Sequence, residues 1–381
     1  MNKTSAIHNF HNLDIGKRLE IIGDFCGLTE EERKELEGYT DLPLTENYIG
    51  RFSYPLRFAN NFKINDREYF IPMVTEEASV IAAASHGAKL CHDSGIKASV
   101  QESKLYSKAM SQILFMDVKN HNKAIEGILK NKKHLLAKSG KGHKYSKPTK
   151  LDVENLDNNI IVYLHANPKD SMGAATASKM LDSIASDISK ITGSEYTAAF
   201  PSNCAGRLTK AELEVPIEDL KMKSMSGERW SGEDVSKRIL VLDKLAKETE
   251  ERAVTHNKGI MNHITAVALP TLQDTRAIES ASSYYAFREG YCQPLSSWRV
   301  DGQYMKGELQ TLIPCGIVGG EIDRYPQSRL IIENVLKLES GDQLAEIMAS
   351  VGLAGNLSAM IMNSTYGLKE GHEPHRKLLN F

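Results

Sequence analysis

The chain has 381 residues, of which 41% are hydrophobic and 25% are charged, as expected for a globular protein with a core large enough for two domains. Its net charge of −2 excludes a protein that binds polyanions over its whole surface. No apolar stretch reaches the roughly 18 residues of a membrane span, and the N-terminus lacks a signal-peptide pattern, so we expect a cytoplasmic protein with no membrane partner.

The first part of the chain predicts two helices, a pair of strands and a third helix. Residues 12–37 have apolar positions at helical spacing and a threonine cap before three glutamates, which predicts two short helices. Residues 50–74 alternate in polarity and contain Asn-Asn and Asn-Asp turn signals, which predicts antiparallel strands. Residues 79–89 form a helix of small residues that other backbone can approach closely.

A different pattern begins near residue 105, where predicted strands alternate with predicted helices. The strands are 109–118, 159–164 and 194–201, and the helices are 120–138 and 171–192. Two strand–helix units indicate a small α+β domain, at 105–217, inserted into a larger helix and sheet domain. The larger domain, formed by 1–104 and 218–381, continues with long helices and a sheet segment near 307–318. We therefore predict a two-domain α+β fold.

The inserted domain carries a strong run of positive charge. Between Lys119 and Lys150 there are ten lysines and one acidic residue. This pattern suits a solvated surface or a site for a phosphate-rich small ligand, such as a dinucleotide or coenzyme A. Nucleic acid is not expected as a partner, because Tyr145 is the one aromatic residue in the run that could stack on a base.

Two adjacent acids, Glu76 and Glu77, precede the small-residue helix at 79–89. They are interpreted either as charges that complement the helix dipole or as a carboxyl group near the core that donates a proton. A second candidate is Asp170-Ser171-Met172-Gly173, which opens the helix at 171–192. These residues could cap the helix or present backbone N–H groups to a pyrophosphate, and the absence of GxGxxG does not support a Rossmann fold.

Lys258 and Asn262 are four residues apart and would share one helix face. A lysine beside an apolar run is a candidate for stabilising an oxyanion, and Asp274 would cap the following helix. Near the C-terminus, His372 is a candidate for protonating a thiolate, because an ordinary histidine changes its charge near neutral pH. Taken alone, each of these residues is more typical of an ordinary surface or capping position.

Together these segments resemble the class II 3-hydroxy-3-methylglutaryl-CoA (HMG-CoA) reductases. The similar segments occur in the family's order: ENYIG, VTEEASVIAAAS, DSMGAA, SNCAG, THNKGIMN, PLSSW, GIVGG, LAGNLSAM and the Gly-His pair at 371–372. The aspartate 16 residues after Lys258, and the 16 residues from Asn356 to His372, match the family spacing. The resemblance covers about residues 10–376.

The resemblance implies a reductase that converts HMG-CoA to mevalonate and free CoA with two hydrides, or runs the reverse reaction. It implies NADPH or NADH as cofactor, coenzyme A as part of the substrate, and a homodimer or a higher oligomer of dimers. The larger domain would bind the CoA ester, and the insert would be a ferredoxin-like, non-Rossmann cofactor domain. The lysine-rich run slightly favours NADPH.

The resemblance also implies a role for each residue. The catalytic residues would be Glu77, Lys258, Asp274 and His372. Contacts to the acyl group would come from Ser79, Arg252, Asn262 and Asn356. The cofactor site would be lined by Asp170, Met172, Gly173 and Asn203. No metal is required, and the five cysteines are scattered without a CxxC pair.

This sequence departs from the family pattern at three positions and near the C-terminus. Ala175 stands where the family has asparagine, His11 stands where it often has arginine, and His375 follows His372 by three residues rather than four. The family's C-terminal helical flap would be short or missing before Phe381. Two alternatives therefore stay open: a relative that binds acyl-CoA or a dinucleotide with impaired turnover, and a reductase of another acyl-CoA.

Overall fold

The structure is a computed structural model and describes residues 4–8, 10, 13–37 and 53–367. Within these residues the helices are α1 (Ile15–Cys26), α2 (Glu30–Glu37), α3 (Ala78–Leu90), α4 (His121–Lys130), α5 (Lys132–Ser139), α6 (Ala174–Thr192), α7 (Gly232–Glu248), α8 (Glu250–Ala268), α9 (Thr275–Ala286), α10 (Pro326–Leu330) and α11 (Gly341–Ser364). Short 3-10 turns cover Ile217–Leu220 and Ile322–Arg324, and a π-helical turn covers Ile331–Val335.

The strands form two four-stranded sheets and two hairpins. They are β1 (Leu56–Ile64), β2 (Arg67–Val74), β3 (Lys97–Val100), β4 (Ala109–Phe115), β5 (Lys147–Leu156), β6 (Asn159–Asn167), β7 (Phe200–Pro201), β8 (Arg207–Pro216), β9 (Met222–Lys223), β10 (Arg229–Trp230), β11 (Ser296–Asp301) and β12 (Tyr304–Ile313). The pairs β1–β2 and β9–β10 are the hairpins, and the sheets run β11-β12-β8-β3 and β5-β6-β4-β7. All of these pairings are antiparallel.

The long helix α11 lies at the centre of the large domain. It packs against α3 and α8 and against the sheet β11-β12-β8-β3, and residues 347–358 are all buried. Of the helices described, α11 is the one whose length and apolarity would allow it to cross a bilayer, and 89% of its most apolar window is buried inside the protein. It is apolar on every face because protein surrounds it on every face.

The small domain has a separate hydrophobic core, drawn from residues 109–199. Its chain order is strand, two helices, two strands, helix, strand, and its sheet order is β5-β6-β4-β7. Because the first strand lies between the third and fourth, this is the split β-α-β arrangement of a ferredoxin-like domain. The predicted α+β fold with a ferredoxin-like, non-Rossmann insert is confirmed.

The end of the insert lies earlier than the sequence pattern predicts. Strand β8 falls inside the predicted range 105–217, but it pairs with β12 and β3 of the large-domain sheet. The predicted strand at 194–201 is reduced to the two residues of β7 and one bridge between Tyr196 and Phe115. The chain therefore returns to the large domain by residue 207 rather than 217.

Glycine at position 87 allows α3 and α11 to approach closely. A Cβ at this position would overlap the carbonyl oxygen of Ala354. We expect Gly87→Ala to destabilise the protein by about 1–3 kcal/mol, as overpacking does, and a urea unfolding curve measures the loss. The matched control is Gly259→Ala, because a Cβ on Gly259 meets no atom within 4 Å. Equal losses in the two variants would contradict this explanation.

Candidate active site

Side chains from β2, α3 and α8 line a cleft of about 320 Å³. The turn between β2 and α3 contributes Glu76 and Glu77, and α8 contributes Lys258 and Asn262. The last two lie one helical turn apart on the same face, as their spacing predicts. The remaining lining residues are Tyr54, Val74, Thr75, Val80, Thr265, Ala266 and Leu269. The cleft therefore brings two carboxyl groups, an ammonium group and an amide together.

Glu77 lies at the start of α3 but does not cap the helix backbone with its side chain. Glu77 occupies the N-cap position of α3 with an extended conformation, and its side chain makes no capping hydrogen bond. Instead, the hydroxyl of Ser79 donates to Oε1 of Glu77 at 2.6 Å. The carboxyl group is half-buried. Its position does not fit a simple helix cap, and Glu77 lines the cleft.

The neighbouring acid, Glu76, has different surroundings. Its side chain is exposed and accepts a hydrogen bond from the Thr75 hydroxyl at 3.1 Å. Hydrogen bonds from its own backbone N–H and from Thr75, together with the positive charge of Lys258, hold the pKa of the Glu76 carboxyl below its ordinary value. Glu76 is therefore ionised at neutral pH, and an ionised carboxylate cannot donate a proton.

His263 is a buried neighbour of the cleft that the sequence motifs did not indicate. Its Nδ1 lies 2.9 Å from the carbonyl oxygen of Gly259, and a Cβ on Gly355 would overlap its ring. Burial lowers the pKa of His263 to about 4, and the charges of Glu77 and Lys258 both act on it. A neutral imidazole thus packs behind these two residues. Two features of the sequence could have indicated this contact: His263 lies one helical turn after Gly259, and α11 has a glycine, Gly355, where the ring packs.

Asp274 caps α9 and does not line the cleft within the described residues. Its Oδ1 accepts from the backbone N–H groups of Arg276 and Ala277 and from Nε of Arg276 at 3.0 Å. Burial alone would raise the pKa of the Asp274 carboxyl, but the hydrogen bonds from Arg276 and Ala277 outweigh it and hold the pKa below its ordinary value. The predicted cap is present, and the catalytic role of Asp274 stays a prediction.

The four residues predicted to contact the acyl group occupy different environments. Asn262 lines the cleft and Ser79 bonds to Glu77. Arg252 is half-buried on α8, outside the cleft lining, and its Nε has no hydrogen-bond partner among the described residues. Asn356 is 3% exposed, and its Oδ1 accepts from Trp298 Nε1 and Ser296 Oγ, each at 2.9 Å. Asn356 therefore lies in a buried polar network rather than at the cleft.

The loop at 168–173 precedes α6 and holds three of the residues predicted for the cofactor. Gly173, at the N-cap of α6, has φ +94 and leaves the helix without a side-chain cap. The carbonyl of Asp170 accepts from Ile317 N at 2.7 Å, and its carboxylate accepts from Gly341 N at 3.1 Å. Met172 is half-buried in this loop. Asn203, the fourth residue, is exposed in the turn that precedes β8.

Some predicted positions fall outside the described residues. These are the catalytic candidate His372, the neighbouring His375, the N-terminal His11 and the ENYIG segment. Among the residues that the structure does describe, no group of three or more His, Cys, Asp or Glu side chains is placed to hold a metal ion.

A half-buried carboxyl group that shares a cleft with an ammonium group suits an oxidoreductase that reduces a carbonyl group. The family model described as hydroxymethylglutaryl-coenzyme A reductase matches residues 14–377. The chain therefore belongs to the HMG-CoA reductase family, and the resemblance in the sequence is confirmed.

Relatives and solved structures agree with this assignment. A 3-hydroxy-3-methylglutaryl-coenzyme A reductase from Archaeoglobus fulgidus is 32% identical over 97% of this chain and 85% of its own length. A probable enzyme of the same name from Borreliella burgdorferi is 29% identical over 86% of this chain and 75% of its own length. The Streptococcus pneumoniae enzyme superimposes with a TM-score of 0.85 at 27% identity, covering 98% of this chain and 90% of that one.

A further structure is that of the class II enzyme from Streptococcus pneumoniae bound to NADPH in open conformations. It superimposes with a TM-score of 0.84 at 28% identity and covers 94% of this chain and 89% of that chain. The likeness therefore extends over both domains, including the insert.

Proposed function

We propose that this protein is an NADPH-dependent HMG-CoA reductase that converts the HMG-CoA thioester to mevalonate and free CoA, or catalyses the reverse. The observation that carries the proposal is the cleft in which Glu77, Lys258 and Asn262 lie together. Family membership supports the substrate, and the cleft supplies the two groups that the reduction of a carbonyl needs: a cation for the developing oxyanion and a proton donor.

The two carbonyl reductions use the same residues. When hydride adds to the thioester carbonyl carbon, negative charge develops on the oxygen, and Lys258 stabilises it. Glu77 donates the proton that converts this oxygen to a hydroxyl, which gives a hemithioacetal. Collapse of the hemithioacetal returns its hydroxyl proton to the Glu77 carboxylate and gives an aldehyde and the CoA thiolate, which His372 protonates. In the second reduction Lys258 and Glu77 act in the same way on the aldehyde oxygen, which gives the alcohol.

The contacts of Ser79 and Asn262 support roles for both residues in the reduction. Ser79 holds the Glu77 carboxyl by a 2.6 Å hydrogen bond and so fixes its direction. Asn262 places an amide one turn from Lys258, where it can bond to a substrate oxygen. We propose Asp274, Arg252 and Asn356 as further members of the site.

The residues of the α6 loop suit a dinucleotide. No side chain of the described residues caps α6 at Gly173, so the first backbone N–H groups of a long helix remain available to a pyrophosphate. Lys169 is exposed within this loop, and Lys147 is exposed beside it, paired with Asn167 in the sheet. Two cations there favour the 2′-phosphate of NADPH over NADH. A reduced nicotinamide bound there would supply one hydride, so the two reductions would use two cofactor molecules in turn.

We also propose a homodimer. Aliphatic side chains on the outer surfaces of α7 and α8 are exposed: Val241 by 67%, Val254 by 53% and Leu245 by 43%. Exposed apolar groups on neighbouring helices are typical of a surface that a second copy covers. Sedimentation or light scattering of the purified protein tests the oligomeric state.

The decisive experiment follows absorbance at 340 nm with HMG-CoA and either NADPH or NADH. We expect HMG-CoA-dependent oxidation of the cofactor, with NADPH giving the higher kcat/KM. The control omits HMG-CoA or replaces it with acetyl-CoA. A folded protein that binds both ligands but oxidises neither cofactor would favour an impaired relative, and faster turnover of acetyl-CoA would favour a reductase of another acyl-CoA.

A further inference from the structure

A buried arginine joins the proposed cofactor loop to the large domain. Arg207, the first residue of β8, is 0% exposed. Its Nη2 donates to the carbonyl oxygens of Lys169 and Ser171, on either side of Asp170, and its Nη1 donates to the carbonyl oxygen of Cys315. One guanidinium therefore holds two chain segments that are distant in sequence.

The same guanidinium is anchored to the start of α11. Arg207 Nε donates to Oδ1 of Asp342 at 2.7 Å, and Lys108 Nζ donates to Oδ2 of the same carboxylate at 2.8 Å. Burial would raise the pKa of the Asp342 carboxyl, but the hydrogen bonds and charges of Lys108 and Arg207 outweigh it and hold the pKa below its ordinary value. Asp342 is therefore ionised at neutral pH and fixes the direction of the Arg207 head group.

The packing around this contact leaves little room for the loop to shift. A Cβ on Gly341 would lie 2.5 Å from Nη2 of Arg207, and a Cβ on Gly316 would lie 2.5 Å from the backbone N of Met172. The residue after Gly316, Ile317, donates its backbone N–H to the carbonyl oxygen of Asp170 at 2.7 Å. The loop at 168–173 is thus held directly against the GIVGG segment.

We propose that Arg207 is a positioning residue for the reduction. It fixes the position and orientation of the loop at 168–173, so that the backbone of the loop can bind the dinucleotide. This inference rests on the proposed function, because it takes that loop as the cofactor site. The role requires arginine, since a guanidinium donates in several fixed directions within one plane, whereas a lysine ammonium is a compact charge that cannot reach four acceptors at once.

Two variants test the inference, and each is first checked for folding by circular dichroism. Arg207→Lys keeps the positive charge but removes the planar set of N–H donors. Gly341→Ala removes no group and pushes the guanidinium aside. NADPH affinity is measured directly by titrating NADPH fluorescence, and the KM values for NADPH and HMG-CoA are measured separately. Arg299→Lys, at an exposed arginine on β11, is the matched control.

We expect both variants to weaken NADPH binding about tenfold to a hundredfold, the usual effect of a small misplacement in a binding site. The KM for HMG-CoA should change less than about twofold, and Arg299→Lys should match the wild type. If Arg207→Lys does not fold, the NADPH affinity of Gly341→Ala tests the positioning role. Unchanged NADPH affinity, or equal losses for both substrates, overturns the positioning role. If the wild type itself neither binds NADPH nor oxidises it, the proposed function fails, and this inference fails with it.

Discussion

Replacing Lys258 by alanine is expected to lower kcat for HMG-CoA reduction by about 10²–10³-fold, the usual loss on removing a key oxyanion donor. Lys258 lies on the same face of α8 as Asn262 and lines the cleft opposite the β2–α3 turn. Its ammonium group provides positive charge at the position where the carbonyl oxygen becomes negative. Because that charge develops mainly in the transition state, kcat should fall more than substrate affinity.

The matched control for this variant is Lys237→Ala. Lys237 lies on α7, is 73% exposed and forms a 3.8 Å ion pair with Glu233. Its removal should leave kcat within about twofold of the wild type, because Lys237 does not line the cleft and an exposed ion pair contributes little to stability. Steady-state kinetics at saturating NADPH measures both variants. Full activity of Lys258→Ala would remove Lys258 from the mechanism.

Replacing Glu77 by glutamine is expected to lower kcat by about 10²–10⁴-fold, the range for loss of a general acid. Glutamine keeps the shape of the side chain and can still bond to the Ser79 hydroxyl, but it has no proton to donate to the alkoxide. The expected loss should be similar for HMG-CoA and for free mevaldehyde, because both reductions end with protonation of an oxygen. Single-turnover kinetics with each substrate measures the two steps.

Glu76→Gln is the natural control, because Glu76 lies beside Glu77 in the same cleft. Its carboxyl group is exposed, and its low pKa makes it a poor proton donor. Glu76→Gln should therefore retain kcat within about tenfold of the wild type. A larger loss in Glu76→Gln than in Glu77→Gln would exchange the roles assigned to the two acids.

Periodic segments of the chain could be predicted from the sequence. Helix α6 has apolar residues at helical spacing, and all of them face one core, so pattern and structure coincide. The same rule placed Lys258 and Asn262 on one face of α8. The hairpin of β1 and β2 was predicted from the Asn65-Asp66 turn, where both residues adopt the positive φ that such a turn requires.

Other elements left no readable pattern. Strand β8 buries alternate residues, but two of its buried positions are Arg207 and Thr209, so the alternation of apolar residues is not visible. Strand β5 lies at the edge of its sheet, and most of its residues are exposed and polar. In both strands the partner strand, rather than the local composition, determines the structure.

The candidate site was predictable only in part, for a similar reason. Family motifs indicated Glu77, Lys258 and the loop at 168–173, because these residues lie in contiguous segments. His263 contacts α11, and Arg207 contacts three segments that are distant in sequence. Such contacts depend on tertiary packing and cannot be predicted from the spacing of residues within one segment.

The pairing of β3 with β8 has a consequence for the origin of the two-domain chain. Val100 pairs with Thr209, and Gly206 N donates to the carbonyl oxygen of Ser107 at 2.9 Å, so the two connections to the small domain run side by side. The whole ferredoxin-like unit therefore occupies the position of a hairpin loop between adjacent antiparallel strands. A module with neighbouring ends can be gained, lost or exchanged without altering the host sheet. In the present chain, folding of that module first would bring β3 and β8 together and reduce the entropy cost of their pairing.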